Sequence, residues 1–467
     1  MKSDIVIIGG GASGLMAAYA AAKTLVDNGI SAQVTVLEKM PRPARKVMIT
    51  GKGRCNFTNV KDWNEFQQHI RSKSNFVKSS FYTLPSRAVV DFFEEYGMPT
   101  VVERGDRAFP ASYHASDVVD TLLMACSRFG VKVVTECEVT DILRTDDGFK
   151  VNLADGTECR AGSVIVATGG LSYPTTGSTG DGLRWAESLG HSIKPLFPSL
   201  TALVPKGYKM APEAPQMPRH IDRSTPLTSF GEALNGIQLK NIQLTSIIDG
   251  NETDSEFGDI DFTDGGLEGP VGFQLSRKCV KAMVNGSRVT LRLDLKPGVA
   301  QAEVTARVRA LWNEVDHDRR SQGMKDKEKV RILLGKLMPW DLIPAFMQAH
   351  PDIISSKRGA GVKDKAGNWS VGTLKTFVLL NELAQYLKAW DFEIEGFVGY
   401  ERCVVTAGGV STDELVAKTM ESRLVPGLYF CGEVMDMDCD TGGYNLQAAF
   451  CTGYLAGQSA AKGLSVE

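Results

Sequence analysis

The stretch Ile5–Gly14 constrains the fold of this chain more than any other. Its first four residues are apolar, which is typical of a buried parallel strand, and they run directly into a glycine-rich turn. An alanine-rich run then predicts a helix, and Val34–Leu37 predicts a second strand that ends at Glu38. A strand, a glycine turn, a helix, a strand and an acid in this order form the dinucleotide-binding βαβ fingerprint.

The three glycines of the fingerprint have separate roles. Gly9 permits a tight turn, Gly11 lets the backbone approach a pyrophosphate, and Gly14 lets the helix and strand pack closely. The helix N-terminus offers free N–H groups and a partial positive charge to the phosphates. We expect Glu38 to accept hydrogen bonds from the adenosine ribose. The alternative is an ordinary βαβ turn that binds no ligand.

Composition places the chain among globular proteins with a large core. Its 467 residues suffice for two or three domains, with 43% hydrophobic and 23% charged residues. A net charge of −3 argues against a globally basic nucleic-acid binder, although a local basic patch is compatible with it. No apolar run reaches membrane-span length, and we expect no signal peptide before the first strand. Nine cysteines without CxxC pairs favour reduced thiols in a cytoplasm over a disulfide framework or a zinc site.

A cationic, glycine-punctuated loop is predicted over Arg45–Asn59, just beyond the fingerprint. Its lysines and arginines either neutralise the phosphates of a bound dinucleotide or form a solvated basic loop. Asn56 and Asn59 are expected to reach a flavin edge. Cys55 invites a redox role, but a packed thiol is favoured because no partner cysteine is nearby.

A second glycine-rich segment follows another predicted buried strand at Val164–Ala167. The strand ends in small residues, Thr168 and Gly169, where backbone can approach a cofactor. A Thr-Gly-Asp-Gly loop at 179–182 then opens a helix. The two motifs together resemble the flavoprotein superfamily that includes fumarate reductase, in which this strand and loop complete the FAD cradle.

The pattern changes after residue 197, because prolines crowd the chain and no further βαβ unit follows. Alternating strands predict an inserted β part, which is followed by a mostly helical part that includes a predicted helix over Leu374–Trp390. We also predict a polar turn at Asn251–Glu256, and a small antiparallel sheet from residues 131–153, laid over the nucleotide fold. The predicted domains are 1–197 and 400–467 (FAD-binding domain), 198–295 (β domain), 296–390 (helical cap region) and 391–399 (return strand of the insert).

The chain returns to the cofactor near its C-terminal end. The strand that ends at Gly432-Glu433 resembles the last flavin-fold strand of many FAD proteins, which ends in Gly-Asp or Gly-Glu. The resemblance implies that Glu433 binds a ribityl hydroxyl or a water on the pyrophosphate side. Glycines at 442 and 443 then open a helix, whose positive end would stabilise the negative charge of a reduced flavin. Three nearby aspartates, at 436, 438 and 440, lack the spacing and the terminal glutamate of a calcium loop, so no metal site is predicted.

Four motifs, ITGKGRCNFTN, ATGGLSYPTTGSTGDG, TAGGV and GEVMDMDCDTGGYNLQAAF, resemble the YhiN-like family of bacterial flavoproteins, which includes BaiN-like and aminoacetone-oxidase-like members. The resemblance implies an α/β fold: a discontinuous Rossmann-like FAD-binding domain with an inserted β domain and a helical cap. Members are linked to C=C reduction in bile-acid intermediates and ribosomal RNA, and to aminoacetone oxidation. The motifs and the resemblance predict these cofactor-binding residues: Gly9, Gly11, Ala12, Ser13, Gly14, Glu38, Lys39, Lys46, Gly53, Arg54, Cys55, Asn56, Thr168, Gly169, Gly180, Asp181, Gly432, Glu433, Gly443, Tyr444, Asn445 and Leu446.

No second GxGxxG follows a strand, so either NAD(P)H docks transiently at the flavin face as electron donor, or the flavin is recharged in another way. The leading hypothesis is an FAD-dependent, NAD(P)H-fed reductase of a conjugated C=C bond, in its sharpest form uridine to dihydrouridine in ribosomal RNA. The alternatives are an amine or aminoketone oxidase that produces peroxide, and a flavin-bearing RNA-binding or assembly factor without turnover. The residues near the flavin motifs that are candidates for proton transfer, none of them compelled by spacing, are Tyr444, Tyr173, Arg402 and Cys55.

A basic segment lies inside the insertion, between His317 and Lys336, where cations outnumber acids. It predicts either contact with RNA phosphates or a solvated helix face. Lys357, Arg358 and Lys363 add to it. The cations proposed for RNA contact are Arg319, Arg320, Lys325, Lys327, Lys329 and Arg331.

Overall fold

The computed structural model describes residues 1–210, 219–358, 362–363, 369–370 and 374–464. The chain divides into two compact units, Met1–Leu200 with Tyr400–Glu467, and Thr201–Gly399. No helix among the described residues is long and apolar enough to cross a membrane.

Strands and helices are numbered in chain order. The strands are β1 (Lys2–Ile8), β2 (Val34–Leu37), β3 (Thr58–Asn59), β4 (Thr100–Glu103), β5 (Arg107–Pro110), β6 (Lys132–Val134), β7 (Val139–Thr145), β8 (Gly148–Leu153), β9 (Glu158–Val166), β10 (Ile193–Ser199), β11 (Leu203–Pro205), β12 (Gln238–Ile248), β13 (Asn251–Thr263), β14 (Gly266–Glu268), β15 (Val289–Asp294), β16 (Ile354–Arg358), β17 (Val362–Lys363), β18 (Trp369–Ser370), β19 (Leu374–Val378), β20 (Trp390–Phe397), β21 (Val405–Val410) and β22 (Leu428–Phe430). The helices are α1 (Ala12–Asp27), α2 (Arg45–Ile49), α3 (Trp63–Phe66), α4 (Ser74–Thr83), α5 (Ser86–Glu95), α6 (Ala115–Arg128), α7 (Asp181–Ser188), α8 (Ser229–Leu234), α9 (Gly269–Val284), α10 (Gln301–His317), α11 (Asp326–Gly335), α12 (Ile343–Ala349), α13 (Leu380–Lys388) and α14 (Tyr444–Gly463).

The main sheet of the first unit is built around β1, which pairs in parallel with β2 on one side and β9 on the other. β6 continues the sheet beyond β2, and β22 pairs in parallel with the end of β9. Ile5, Val6 and Ile7 are fully buried, as expected for a parallel strand that is covered on both faces. The predicted Rossmann-type α/β fold is confirmed.

The hairpin of β7 and β8 belongs to this same sheet. β8 pairs antiparallel with Glu158–Ala161 of β9, while β22 pairs with Val164–Val166 of the same strand. The prediction of a small antiparallel sheet laid over the nucleotide fold is therefore wrong in its placement. β7 and β8 are antiparallel but extend the main sheet through the long strand β9, and β6 pairs in parallel with β2.

The C-terminal helix α14 packs closely against α1. Two glycines four residues apart on α14 lie on one face of the helix. An added Cβ would lie 2.2 Å from the Ser13 carbonyl oxygen at Gly453 and 2.0 Å from the Ala17 carbonyl oxygen at Gly457. Glycine at these positions lets the last helix of the chain contact the backbone of the fingerprint helix.

The second unit contains a closed antiparallel barrel in the order β11-β14-β13-β12-β15-β20. Burial alternates along β15, with Val289, Leu291 and Leu293 buried, as the sequence pattern predicts. The helix α9 lies within the segment predicted as a β domain and was not predicted.

Two local predictions in this unit are wrong. Asn251–Glu256 begins the strand β13, and the turn lies two residues earlier at Asp249-Gly250, where both φ angles are positive (49° and 85°). Asp-Gly in this conformation forms a tight hairpin turn. Leu374–Val378 is a strand paired with β16, and only Leu380–Lys388 of the predicted helix is helical. A short apolar run such as Leu374–Val378 fits both the helical and the strand periodicity, which is why the sequence pattern predicted a helix there.

Candidate dinucleotide site

A cavity in the first unit lies at the carboxyl ends of β1, β2 and β9, where parallel α/β sheets bind ligands. Its lining comes from the fingerprint, the loop before α7 and the segment around the start of α14, which are far apart in sequence. The predicted cofactor residues that line it are Gly9, Gly11, Ala12, Ser13, Glu38, Lys39, Lys46, Thr168, Gly169, Asp181, Glu433, Asn445 and Leu446.

The fingerprint glycines divide into packing positions and one open position. At Gly14 an added Cβ would lie 1.9 Å from the Gly9 carbonyl oxygen, and at Gly9 it would lie 2.6 Å from that of Ala167. At Gly11 it would meet no protein atom within 4 Å. Gly11 also precedes the first turn of α1, which no side chain caps and which carries no acid. Space, free N–H groups and a positive helix end therefore coincide at one point, which suits a phosphate.

Glu38 holds the glycine turn of the fingerprint through hydrogen bonds to backbone N–H groups. Its Oε2 accepts a hydrogen bond from the Gly10 N–H and its Oε1 one from the Met40 N–H, both at 2.8 Å. Burial raises the pKa of Glu38, and the two backbone donors oppose that shift. The carboxylate is thus held rigidly at the cavity wall, and a ribose hydroxyl would share oxygens that already accept these bonds.

The cations around the cavity fall into two groups. Lys39 and Lys46 pair with Asp181 and Glu433, each at 2.6 Å. Arg42 is exposed and lines the cavity without an ion pair in the described part of the chain, as does Arg45 in α2. The segment Arg45–Asn59, predicted as a loop, thus begins with the helix α2, and Arg42 and Arg45 present two guanidinium groups that suit phosphate oxygens.

Glu433 is the centre of a network that joins four segments of the chain. Its Oε1 accepts from the Thr406 N–H at 2.9 Å and from the Ser172 hydroxyl, and Lys46 contacts Ser172 as well. Thr406 Oγ1 in turn accepts from the Leu171 N–H at 2.8 Å. Ser172 and Thr406 were not predicted as site residues, although both lie inside the glycine motifs that pointed to the cofactor.

The start of α14 lies against the loop that contains Asn56. An added Cβ at Gly443 would lie 2.5 Å from the Thr58 carbonyl oxygen and 2.8 Å from Asn56 Oδ1. Asn56 Oδ1 is buried and has no hydrogen-bond partner in the described residues. A buried acceptor of this kind calls for a donor, and an isoalloxazine ring carries one N–H.

Residues 3–459 match the HI0933-like protein Rossmann domain family. The chain belongs to this family. It is 30% identical over 458 residues to a 3-dehydro-bile acid delta(4,6)-reductase from Clostridium scindens, covering 98% of this chain and 99% of the relative. It is 28% identical over 455 residues to a ribosomal RNA dihydrouridine synthase from Haemophilus influenzae, covering 97% of each. A synthase of the same name from Escherichia coli is 27% identical over 465 residues, covering 98% of each.

This membership confirms the predicted resemblance, and the HI0933-like protein is an FAD-dependent oxidoreductase with FAD as its cofactor. The site fits FAD on its own geometry. Gly11 leaves space beside a free helix end, and Arg42 and Arg45 line the cavity without an ion pair among the described residues.

Other predicted cofactor residues of this HI0933-like protein do not line the cavity. Arg54 pairs with Glu103 at 2.8 Å and lies over the Phe109 and Tyr113 rings, at 4.7 and 4.6 Å from their centroids. Burial raises the pKa of the Cys55 thiol to about 11, which keeps it protonated at neutral pH. The remaining residues outside the lining are Gly14, Gly53, Asn56, Gly180, Gly432, Gly443 and Tyr444.

The four candidates for proton transfer are also outside the cavity lining. Tyr444 is 4% exposed and packs between Phe66 and His69. Arg402 is exposed, and the Tyr173 N–H donates to the Tyr400 carbonyl at 2.8 Å. The structure brings none of them to the cavity wall.

Proposed function

We propose that this HI0933-like protein reduces a conjugated C=C bond with electrons from NAD(P)H. One observation carries the proposal: the chain matches, nearly end to end, relatives whose names describe a delta(4,6)-reductase and a dihydrouridine synthase. Forming dihydrouridine from uridine also adds two hydrogens across a C=C bond. The substrates of the two relatives differ, but the reaction type is shared.

When bound, FAD supplies hydride-transfer chemistry at its N5 atom. The chain's own residues then hold and polarise it. The first turn of α1, with Arg42 and Arg45, would hold the pyrophosphate. The network of Lys46, Glu433 and Ser172 would hold the ribityl side. The N-terminus of α14 would stabilise negative charge at the flavin's pyrimidine edge.

The basic segment of the second unit favours ribosomal RNA as a substrate only in part. Lys329 pairs with Asp316 at 2.7 Å and is largely buried, whereas Arg320, which pairs with Asp318 at 3.3 Å, remains 90% exposed. The side chains of Lys357, Arg358 and Lys363 lie outside the described residues. Cations that are exposed and without an ion pair across the described ranges are Arg319, Lys325, Lys327 and Arg331.

Because these four cations remain available, uridine in ribosomal RNA stays within the proposal beside a small enone of the steroid type. A cytoplasmic location, inferred from cysteine usage, is also part of the proposal.

Product analysis tests the proposal. The purified yellow protein is incubated anaerobically with NADPH or NADH and either a steroid 4,6-dien-3-one or ribosomal RNA from a strain that lacks this gene. Mass spectrometry should show the gain of two hydrogens in one of the two. Stoichiometric peroxide in air with an amine, and no saturated product, would contradict the proposal and favour the oxidase.

A further inference from the structure

The loop between β9 and α7 forms a thin wall of the FAD cavity. Residues 173–181, the end of this loop and the first residue of α7, are called the strap below. Residues 176–178 line the cavity, whereas Pro174, Thr175 and Thr179 on either side of them are exposed to solvent. The chain is therefore a single layer here, with the cavity on one side and solvent on the other.

The loop that carries the strap folds back on itself between two glycines. Gly169 and Gly180 have φ angles of 72° and 78°, a region that glycine adopts without strain. An added Cβ would lie 2.8 Å from Ser178 Oγ at Gly169 and 2.8 Å from Leu171 Cδ2 at Gly180. A compact loop with its ends close together and glycines at those ends is suited to move as one body.

Lys39 fastens the strap to the opposite wall of the cavity. Its Nζ lies 2.6 Å from Asp181 Oδ2 and 2.5 Å from Thr179 Oγ1, and Thr179 Oγ1 lies 2.8 Å from the same carboxylate oxygen. These three residues are called the latch. The Lys39 and Asp181 side chains are 22% and 16% exposed, so water weakens their ion pair less than it weakens a fully exposed one.

The latch holds a part of the loop that has little other attachment. Residues 174–177 form hydrogen bonds within the loop. The beginning of the loop is held separately, because the Leu171 and Ser172 N–H groups donate to Thr406 Oγ1. Among the described residues, Lys39 is the one hydrogen-bond partner that residues 174–179 have outside the loop and α7.

The latch lies where two solvent-exposed walls of the cavity meet. One wall is the strap, and the other is the segment 39–45, in which Arg42 and Arg45 both line the cavity and are exposed. The ends of β1, β2 and β9 and the helix α1 form other walls, and their residues belong to the hydrophobic core. Opening a passage between the strap and the segment 39–45 therefore disturbs the core least.

We propose that the latch controls the exchange of FAD. Lys39 and Asp181, both predicted as cofactor-binding residues, then close the strap over the cofactor instead of binding it. The latch residues bond to one another, so the same contacts break when FAD enters and when it leaves. The latch thus slows both directions and leaves the equilibrium affinity nearly unchanged. The inference concerns the cofactor alone and does not rest on the proposed C=C reduction.

Two variants of the full-length protein test this proposal. Lys39→Met removes the cation, and Thr179→Val removes the hydroxyl of a residue that is outside the cavity lining. Flavin fluorescence in a stopped-flow instrument gives the rate at which the deflavinated chain binds FAD. Exchange of bound FAD for ¹⁴C-labelled FAD in the holoenzyme gives the dissociation rate. Lys150→Met, which breaks a surface pair with Glu158, is the matched control.

The proposal predicts parallel changes in the two rates. Lys39→Met should raise both rate constants about tenfold, the effect of one charge-assisted hydrogen bond, and their ratio should stay within about threefold of wild type. Thr179→Val should raise both by a smaller factor, about two- to fivefold, because it removes a single hydroxyl partner. Lys150→Met should leave both unchanged.

Two results would overturn the proposal. Faster dissociation in Lys39→Met with unchanged or slower association would show that Lys39 binds FAD directly. Wild-type rates in both variants would show that the strap does not limit exchange. If Lys39→Met does not fold, Thr179→Val decides alone, since its side chain is exposed and wild-type rates in it overturn the proposal. Neither rate involves a substrate, so either failure leaves the proposed function standing.

Discussion

Lys46 Nζ lies 2.6 Å from Glu433 Oε2, although 387 residues separate the two in sequence. The hydroxyl of Ser172 contacts both partners, so three segments meet at one carboxylate. The βαβ fingerprint thus supplies only part of the cavity wall. The rest depends on the C-terminal segment closing against it.

Lys46→Met should weaken FAD binding about tenfold without unfolding the protein. The Lys46 and Glu433 side chains are 25% and 18% exposed, so removing the cation leaves Glu433 Oε2 without the ammonium that pairs with it, which costs about 1–3 kcal/mol. Flavin fluorescence during titration measures the affinity. Lys23→Met, which breaks the exposed pair with Asp27, is the control and should leave affinity unchanged. Equal FAD affinity in both variants would contradict the role of the network.

Gly11→Ala and Gly14→Ala should fail in different ways. At Gly11 the new Cβ meets no protein atom within 4 Å, so stability should change by about 1 kcal/mol or less while FAD affinity falls at least about tenfold. At Gly14 the Cβ would lie 1.9 Å from a backbone oxygen, and the variant should lose more than about 3 kcal/mol or not fold. Urea unfolding and flavin titration measure the two effects. A folded Gly11→Ala protein with wild-type FAD affinity would show that no phosphate lies there.

The contact between α1 and α14 predicts a position-dependent effect along one helix. Gly457→Ala should destabilise the protein by about 3 kcal/mol, because its Cβ would lie 2.0 Å from the Ala17 carbonyl oxygen, which cannot move freely. Gly463→Ala, with its nearest atom at 3.7 Å, should be neutral or stabilising, since alanine favours helix over glycine. Thermal unfolding of the two variants measures the difference. Equal destabilisation of both would show that α14 does not tolerate alanine in general and would contradict a specific contact with α1.

Features encoded locally were predictable from sequence, and features that depend on assembly were not. The strand before Gly9 and the role of Glu38 at the cavity could be predicted because both belong to the βαβ fingerprint, whose elements follow one another in a fixed order. In the sequence, Asp440 is only one of three neighbouring aspartates. Its partner His69 lies far away in the chain, and the two are brought together by a backbone bridge that no local pattern predicts. Arg42 gave no periodic or motif pattern, and its place at the cavity follows from the conformation of the loop before α2.

His350 should make the second unit sensitive to acid. Its side chain is buried, Nε2 has no partner in the described residues, and burial lowers its pKa to about 4. Below the unfolded value of about 6.5 the unfolded chain binds a proton that the folded protein does not, so stability falls as pH falls towards 4. The loss between pH 7 and pH 4 is about 3 kcal/mol.

His350→Phe should flatten this part of the pH dependence, because it removes the titrating group and keeps an aromatic ring against Tyr386 and Trp390. Urea unfolding at pH 7 and pH 4 measures the difference. The exposed His317, changed to Phe, should leave the pH dependence as in wild type. An equally steep loss in His350→Phe would assign the acid sensitivity to other groups.

Anaerobic stopped-flow spectroscopy of the yellow protein tests the central claim most directly. Reduced pyridine nucleotide should bleach the flavin in a single turnover, and an enone or ribosomal RNA should restore the oxidised spectrum faster than dissolved O₂ does. A flavin that neither NADH nor NADPH reduces, but that an amine reduces and O₂ rapidly reoxidises with release of peroxide, would contradict a C=C reductase.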